Sequence, residues 1–317
     1  MSTTAAAARV RTRQRAGDRA FSATAVSAGV LILVTLAAVA VFLVLQSLPA
    51  LTATGETASI LRRAGDFWSY VGPLVFGTVW AALLALLVAL PVSIGIALFI
   101  SHYAPRRLAT LLGYVVDLLA AVPSVVFGLW GILVFAPAIQ PVYSWLVDNL
   151  GWFPLFAGPV SSTGRTILTA ALVLAVMTLP IMTAVCREVF LQAPRLHEEA
   201  ALALGATRWE MIRIAVLPFG RSGIVSAGVL GLGRALGETM AVALVLSPTP
   251  GLISAALLQA SNPTTIAANI ALSFPEAYAL NVNVLIATGL ILFVVTFLVN
   301  ALARWIVARR RDFSGAN

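Results

Sequence analysis

Six apolar runs set the pattern of this chain, each long enough for the roughly 20 residues that a bilayer crossing needs. They lie at about 23–48, 71–101, 109–136, 166–186, 223–246 and 283–307. The pattern predicts an all-α polytopic membrane protein with six transmembrane helices. The first run follows a basic segment, as a signal peptide would. It spans 26 residues, beyond the roughly 7–15 of a signal core, so it reads as an uncleaved span; Ala50-Leu51-Thr52-Ala53 offers only a weak cleavage site. The second run carries Pro91, the third Pro123, Gly128 and Gly131, and the fourth Pro180. Proline and glycine inside spans let helices kink and approach closely. The expected division is a tail at 1–22, a first span and outer loop at 23–70, the remaining spans at 71–308, and a second tail at 309–317. No sustained internal repeat appears.

The apolar pattern breaks sharply at 194–218. Glu198 and Glu199 stand where a helix start favours negative charge. Ala200, Ala201, Leu202, Ala203 and Leu204 are strong helix formers. Gly205 interrupts them, and a second amphipathic piece with Trp209, Met211, Ile212 and Ile214 runs to Pro218. Helix, glycine turn, helix and proline predict a compact elbow on the membrane surface.

Arginine placement orients the spans, since Lys and Arg counts, not net charge, follow the cytoplasmic side. The tail before the first run holds five: Arg9, Arg11, Arg13, Arg15 and Arg19. Residues 49–70 hold two, 102–108 two, 137–165 only Arg165, 187–222 five and 247–282 none. Arg309, Arg310 and Arg311 close the chain, after Arg304. This alternation places both termini and the elbow in the cytoplasm. The outward loops differ in character. Tyr143, Trp145, Trp152 and Phe153 in 137–164 fit an interfacial aromatic belt or a docking surface, and Leu252–Ala260 suits a short helix at the membrane surface.

Charges inside the spans are the candidate chemistry. Arg234 and Glu238 sit four residues apart in Gly231–Ala241, GLGRALGETMA. On one helix they project from nearly the same face. They fit a self-satisfied ion pair, or a solvated site whose arginine meets an anion with two parallel hydrogen bonds. Gly233 and Gly237 form a small face for a neighbouring helix. Asp117, near the start of the third span, fits either an interfacial carboxylate or a pathway group. Thr239 adds a hydroxyl beside Glu238, although span hydroxyls often bond their own backbone.

Composition narrows the classes. Of 317 residues, 60% are apolar and 10% charged, against roughly 25% charged in soluble domains. The net charge of +8 comes from arginine alone, and the arginines flank spans, which argues against nucleic acid. One cysteine, Cys186, and two histidines, His102 and His197, form no metal constellation. No hydrolase or metalloprotease motif appears. With no lysine, the chain has no P-loop lysine of its own, so any ATP-driven work needs a separate ATPase.

Two motifs carry a family resemblance. Glu199-Ala200-Ala201, Gly205 and Leu217-Pro218 resemble the EAA loop of ABC-importer permeases; the one departure is Ala215, preceded by Ile214, where the family has isoleucine. The likeness covers about residues 72–308. It implies that Glu198, Glu199, Ala200, Ala201, Gly205, Leu217 and Pro218 belong to a coupling loop docking on a cytoplasmic ATPase. Gly233–Ala241 resembles the phosphate-specific branch, the PstC and PstA type, and the basic tail with six spans is nearer the PstC type. That implies a phosphate pathway at Arg234 and Glu238, a PstA-type second permease, a PstB-type ATPase dimer binding ATP and Mg, and a PstS-type external phosphate-binding protein. The chain itself is then a cofactor-free transport subunit in the plasma membrane. Two alternatives remain: a permease for molybdate or sulfate, and an ATP-independent secondary transporter. The latter commonly shows repeated halves and broken helices.

Overall fold

A computed structural model describes residues 16–308, and among them the chain is helical, with isolated β-bridges and no strand. The helices are α1 (Ala16–Leu51), α2 (Phe67–Leu98), α3 (Arg106–Ala120), α4 (Ser124–Trp130), α5 (Ala136–Leu150), α6 (Ile167–Leu191), α7 (Arg195–Ala203), α8 (Arg208–Met211), α9 (Leu217–Leu236), α10 (Met240–Val245), α11 (Ile266–Ser273) and α12 (Leu280–Ala308). Six uninterrupted helical stretches are long and apolar enough to cross a membrane. The tail at 1–22 lies mostly outside the described residues, as does 309–317; Arg19 falls inside α1, which begins earlier than the first apolar run.

Helix α6 is the core. Its apolar window is 67% buried, against 0% for that of α1, whose apolar side chains are mostly exposed, as lipid contact requires. Ala81, Ala85 and Ala89 recur every fourth residue on α2 and bury in one cluster with Val173, Leu174, Met177 and Met182 of α6. Small residues at that spacing let two helix backbones approach, which is how helices associate where lipid is as apolar as leucine. Helix α9 lies antiparallel to α6: Gly220 meets Phe190, Gly223 meets Val189 and Gly231 meets Met182. Helix α1 packs along α12 instead, at the periphery.

The third span differs from the sequence expectation. The chain does run along α6 over the expected stretch, since Gly113 meets Arg187 and Gly131 meets Val173. It does so in two pieces. Pro123 sits extended at φ −60°, ψ 141° and starts α4 afresh, because the residue before a proline is pushed out of the helical region. A π turn at Gly131–Phe135 then carries the helix on to Leu150. Tyr143 and Trp145 are therefore helical rather than in an outward loop, and the Tyr143 hydroxyl bonds Thr169 Oγ1 at 2.9 Å.

Two further expectations fail. Pro218 does not end a helix: a π turn at Ile212–Val216 runs straight into α9, so the stretch from Arg208 to Leu236 is one continuous rod. Widening the turn just before a proline accommodates its missing N–H. Leu252–Ala260 forms no helix either. Its backbone knits to the preceding outer loop, Leu257 N donating to Leu155 O and Ser161 N to Leu258 O. Asn262 locks this seam, accepting from Ile167 N and donating to Arg165 O, Ser247 O and Ala260 O.

Arg165, counted above as a lone outward arginine, has a structural role. Its guanidinium donates to the carbonyls of Leu244, Val245 and Leu246, the open end of α10. Cations favour that end. Arg165→Ala should cost roughly 1.5–3 kcal/mol, the range for hydrogen bonds to a charged group. A lower melting temperature in detergent with unchanged membrane insertion is the expected readout.

Candidate functional site

The elbow is a rigid turn. Helix α7 ends at Ala203 with Leu204 as its cap, and Gly205 takes φ +87°, a left-handed conformation that costs an L side chain roughly 1–2 kcal/mol. Thr207 then starts α8 with a reciprocal cap: Glu210 N donates to the Thr207 hydroxyl, and the Glu210 carboxylate accepts from Thr207 N. Leu204, 90% exposed, marks the tip. Between α7 and the rod lies a cavity of about 500 Å³, lined in part by Ala200, Ala201, Leu204, Ile214 and Pro218. Glu199, Ala200 and Gly205 are exposed, Ala201 is buried and Leu217 is half-buried.

Glu198 points elsewhere. Its Oε1 lies 3.6 Å from His102 Nε2, and His102 Nδ1 shares a 2.7 Å hydrogen bond with the Ser101 hydroxyl. His102 sits in a π turn, Phe99–Tyr103, that extends α2. The elbow is thus tied to a transmembrane helix packed on α6. His102 carries no such role in the sequence, since no local motif signals a contact across 95 intervening positions.

Arg234 lies near mid-depth. Gly231, which meets Met182 near the middle of α6, is one turn away. The expected geometry of Arg234 and Glu238 on one helix face does not hold, because α9 stops at Leu236 and α10 begins at Met240. Gly237 caps the end of α9, and the Glu238 carboxylate, 9% exposed, turns forward to accept from Ala241 N at 3.1 Å. Thr239 Oγ1 donates to Gly237 O. Glycine at 237, with a weak helix former at 239, makes this the cheapest place to interrupt the helix. No ion pair forms between Arg234 and Glu238, and the reading of a self-satisfied pair falls with it.

Arg234 Nε is instead buried without a hydrogen-bond partner. Its side chain borders an open cavity of about 390 Å³, together with Ile181, Leu230, Gly233, Asn300 and Arg304. No carboxylate borders that cavity. An unpaired guanidinium beside room for water and solute is arranged to receive an anion. Glu238, Thr239 and Asp117 do not border it. Asp117 is exposed on α3, one turn past the Gly113 contact with Arg187, and pairs with neither arginine. Arg187 Nε, Thr183 Oγ1 and Trp80 Nε1 are the other buried side-chain atoms without partners among the described residues. No group of metal-ligating side chains appears among these residues.

A multi-pass helical protein with a polar elbow and a charge at mid-depth has the form of a membrane permease. Residues 89–312 match the family described as "Binding-protein-dependent transport system inner membrane component", and the chain belongs to that family. It is a transport component rather than an enzyme. Among individual proteins, it is 47% identical over 300 residues to "Phosphate transport system permease protein PstC 2" of Mycobacterium bovis, covering 92% of this chain and 91% of that one. It is 39% identical to "Phosphate transport system permease protein PstC" of Mesorhizobium japonicum, over 94% and 92% of the two chains. The fold matches a solved bacterial alginate ABC transporter in complex with an alginate pentasaccharide-bound periplasmic protein. That match has a TM-score of 0.61 at 18% identity, over 95% and 97% of the chains.

Proposed function

We propose that this chain is the PstC-type permease subunit of an ABC importer for inorganic phosphate. The observation that carries the reading is Arg234, a half-buried arginine whose buried Nε has no partner, on an open cavity, in a chain closely similar to phosphate permeases. Its partners are a PstA-type permease, a PstB-type ATPase dimer that holds ATP and Mg, and a PstS-type external phosphate-binding protein. Both termini and the elbow face the cytoplasm.

The mechanism is alternating access. The binding protein delivers phosphate to the outer loops. Closure of the ATPase dimer moves the elbow at 195–218, and the unbroken rod from Arg208 to Leu236 transmits that motion to Arg234 at its far end. The break at 237–239 lets α10 stay with the outer seam that Arg165 holds. A conformational change does work only if the states differ in affinity for the ion, and moving Arg234 relative to the seam supplies that difference. The same break weakens one distinction from secondary transporters, since broken helices occur here too. The elbow remains the discriminating feature, because an ATP-independent carrier needs no such surface.

The test is co-purification with the candidate ATPase, followed by competition for uptake between phosphate, sulfate and molybdate. Phosphate should compete best; preferential competition by another oxyanion assigns the chain to that anion instead. The His102–Glu198 link gives a second expectation. The two side chains are largely buried and 3.6 Å apart, and such a contact is worth about 1 kcal/mol net, so His102→Ala should lower phosphate moved per ATP about fivefold. The ratio of uptake to hydrolysis in proteoliposomes measures it.

A further inference from the structure

We infer that Asn300 and Arg304 on α12 form the inner wall of the anion site, receiving the oxyanion from Arg234 on its way to the cytoplasm. The inference rests on the reading of Arg234 as the anion-binding group. Its own basis is geometric. Asn300 and Arg304 border the same cavity as Arg234. They are four residues apart on one helix, so they stack on one face about 6 Å apart along the axis. Their neighbour Val299 packs against a cluster with Ala235, Leu232 and Leu236 of α9. That contact holds this part of α12 against the end of the rod where Arg234 sits.

The chemistry of the three groups is graded. Arg234 offers a planar fork of donors at mid-depth. Asn300 adds a neutral amide, which can donate to an oxyanion or accept from a protonated one. Arg304 lies exposed near the end of α12, where its charge is solvated. The only charged residues on the cavity are the two arginines, and its apolar walls concentrate that field on a mobile anion. A half-buried arginine with an unpartnered Nε binds; a second, more exposed arginine beyond it gives the ion somewhere to go. Without it, leaving Arg234 means losing a charge-assisted contact with nothing to replace it. An ordinary arginine at the end of a span has no reason to share a cavity with a mid-depth arginine and an asparagine between them.

The ligand chemistry, a phosphate-type oxyanion, could come from the free ion or from a lipid headgroup. Cysteine labelling separates the two. The single native cysteine of this chain, Cys186, is buried, so Asn300→Cys is the one accessible thiol this chain contributes to the assembled transporter, and labelling of the complex without the variant measures the partners' background. The probes are a sulfonated and a quaternary-ammonium methanethiosulfonate reagent, applied in liposomes of zwitterionic lipid. The anionic reagent should react faster by about tenfold, and inorganic phosphate should slow it where chloride at equal ionic strength does not. Equal rates, no reaction with either reagent, or protection only after anionic lipid is added would each overturn the inference.

Uptake supplies an independent arm, which covers the event that the cysteine variant fails to assemble. Arg304→Gln should reduce phosphate uptake about tenfold, the loss of one charge-assisted contact, with Arg304→Lys recovering part of it. Wild-type uptake with an undiminished Arg304→Gln rate contradicts the inner wall alone. No phosphate uptake by the wild type contradicts the proposed function instead.

Discussion

Replacing Arg234 with Gln should reduce phosphate uptake by about a hundredfold while the complex assembles normally. The magnitude follows from losing the charge-assisted bonds a guanidinium makes to an oxyanion, about 3 kcal/mol. Normal assembly follows from what Arg234 does not do. It makes no ion pair with Glu238, and its Nε has no partner to lose. An arginine at mid-depth costs roughly 2.5–3.5 kcal/mol on the insertion scale. Gln should therefore leave thermal stability unchanged or raise it. A variant that fails to assemble, or melts lower, would show that Arg234 holds the bundle together through a contact made with the partner permease. Lysine at this position should restore only part of the uptake, because it meets the anion as a point charge rather than a fork.

The second large effect is expected at Gly205. Gly205→Val should leave ATP hydrolysis running and uptake reduced to near background. Two features of the elbow make the case. The backbone there takes φ +87°, which a β-branched residue adopts only as an outlier. A side chain built at Gly205 meets nothing within 4 Å in this chain. The substitution therefore does not clash internally; it changes the angle between α7 and the rod, and it adds bulk at the exposed tip beside Leu204. Both consequences fall on the surface proposed to receive the ATPase. The measurement is the ratio of phosphate transported to ATP hydrolysed, with membrane insertion checked separately. A normal ratio would remove the elbow from the coupling path. Gly205→Ala should fall between, bearing the backbone penalty with less bulk.

The sequence disclosed the larger features because lipid leaves few choices. Each span must satisfy its backbone internally, so long apolar runs become helices, and six were legible. The elbow was legible because Gly205 and the flanking helix formers dictate a turn locally. What escaped was set by tertiary contact. Pro218 looked like a terminator, but the π turn at Ile212–Val216 absorbs it. Tyr143 and Trp145 looked like loop aromatics because the break falls earlier, at Pro123. Leu252–Ala260 had helical composition, yet its backbone finds better partners across the outer seam.

The candidate site divides in the same way. Arg234 stood out as a charge among apolar residues. Its spacing to Glu238 suggested a shared face, and the interruption at Gly237 removes it. That glycine was visible in the sequence, but it was weighed as a packing surface, not as a helix end. Arg165 was read for topology, whereas its position opposite the end of α10 emerges only when two distant loops meet. Asn300 carries one signal in the sequence: a polar side chain four residues before an arginine in an apolar span.

The central claim is that ATP hydrolysis in the partner ATPase, transmitted through the elbow, drives an anion past Arg234. It is tested most directly by radiolabelled phosphate uptake into proteoliposomes holding the complete transporter, with the ATPase either active or catalytically dead. Uptake should occur only with the active ATPase, and there should fall about a hundredfold with Arg234→Gln. Phosphate entry that persists with the dead ATPase would contradict the account.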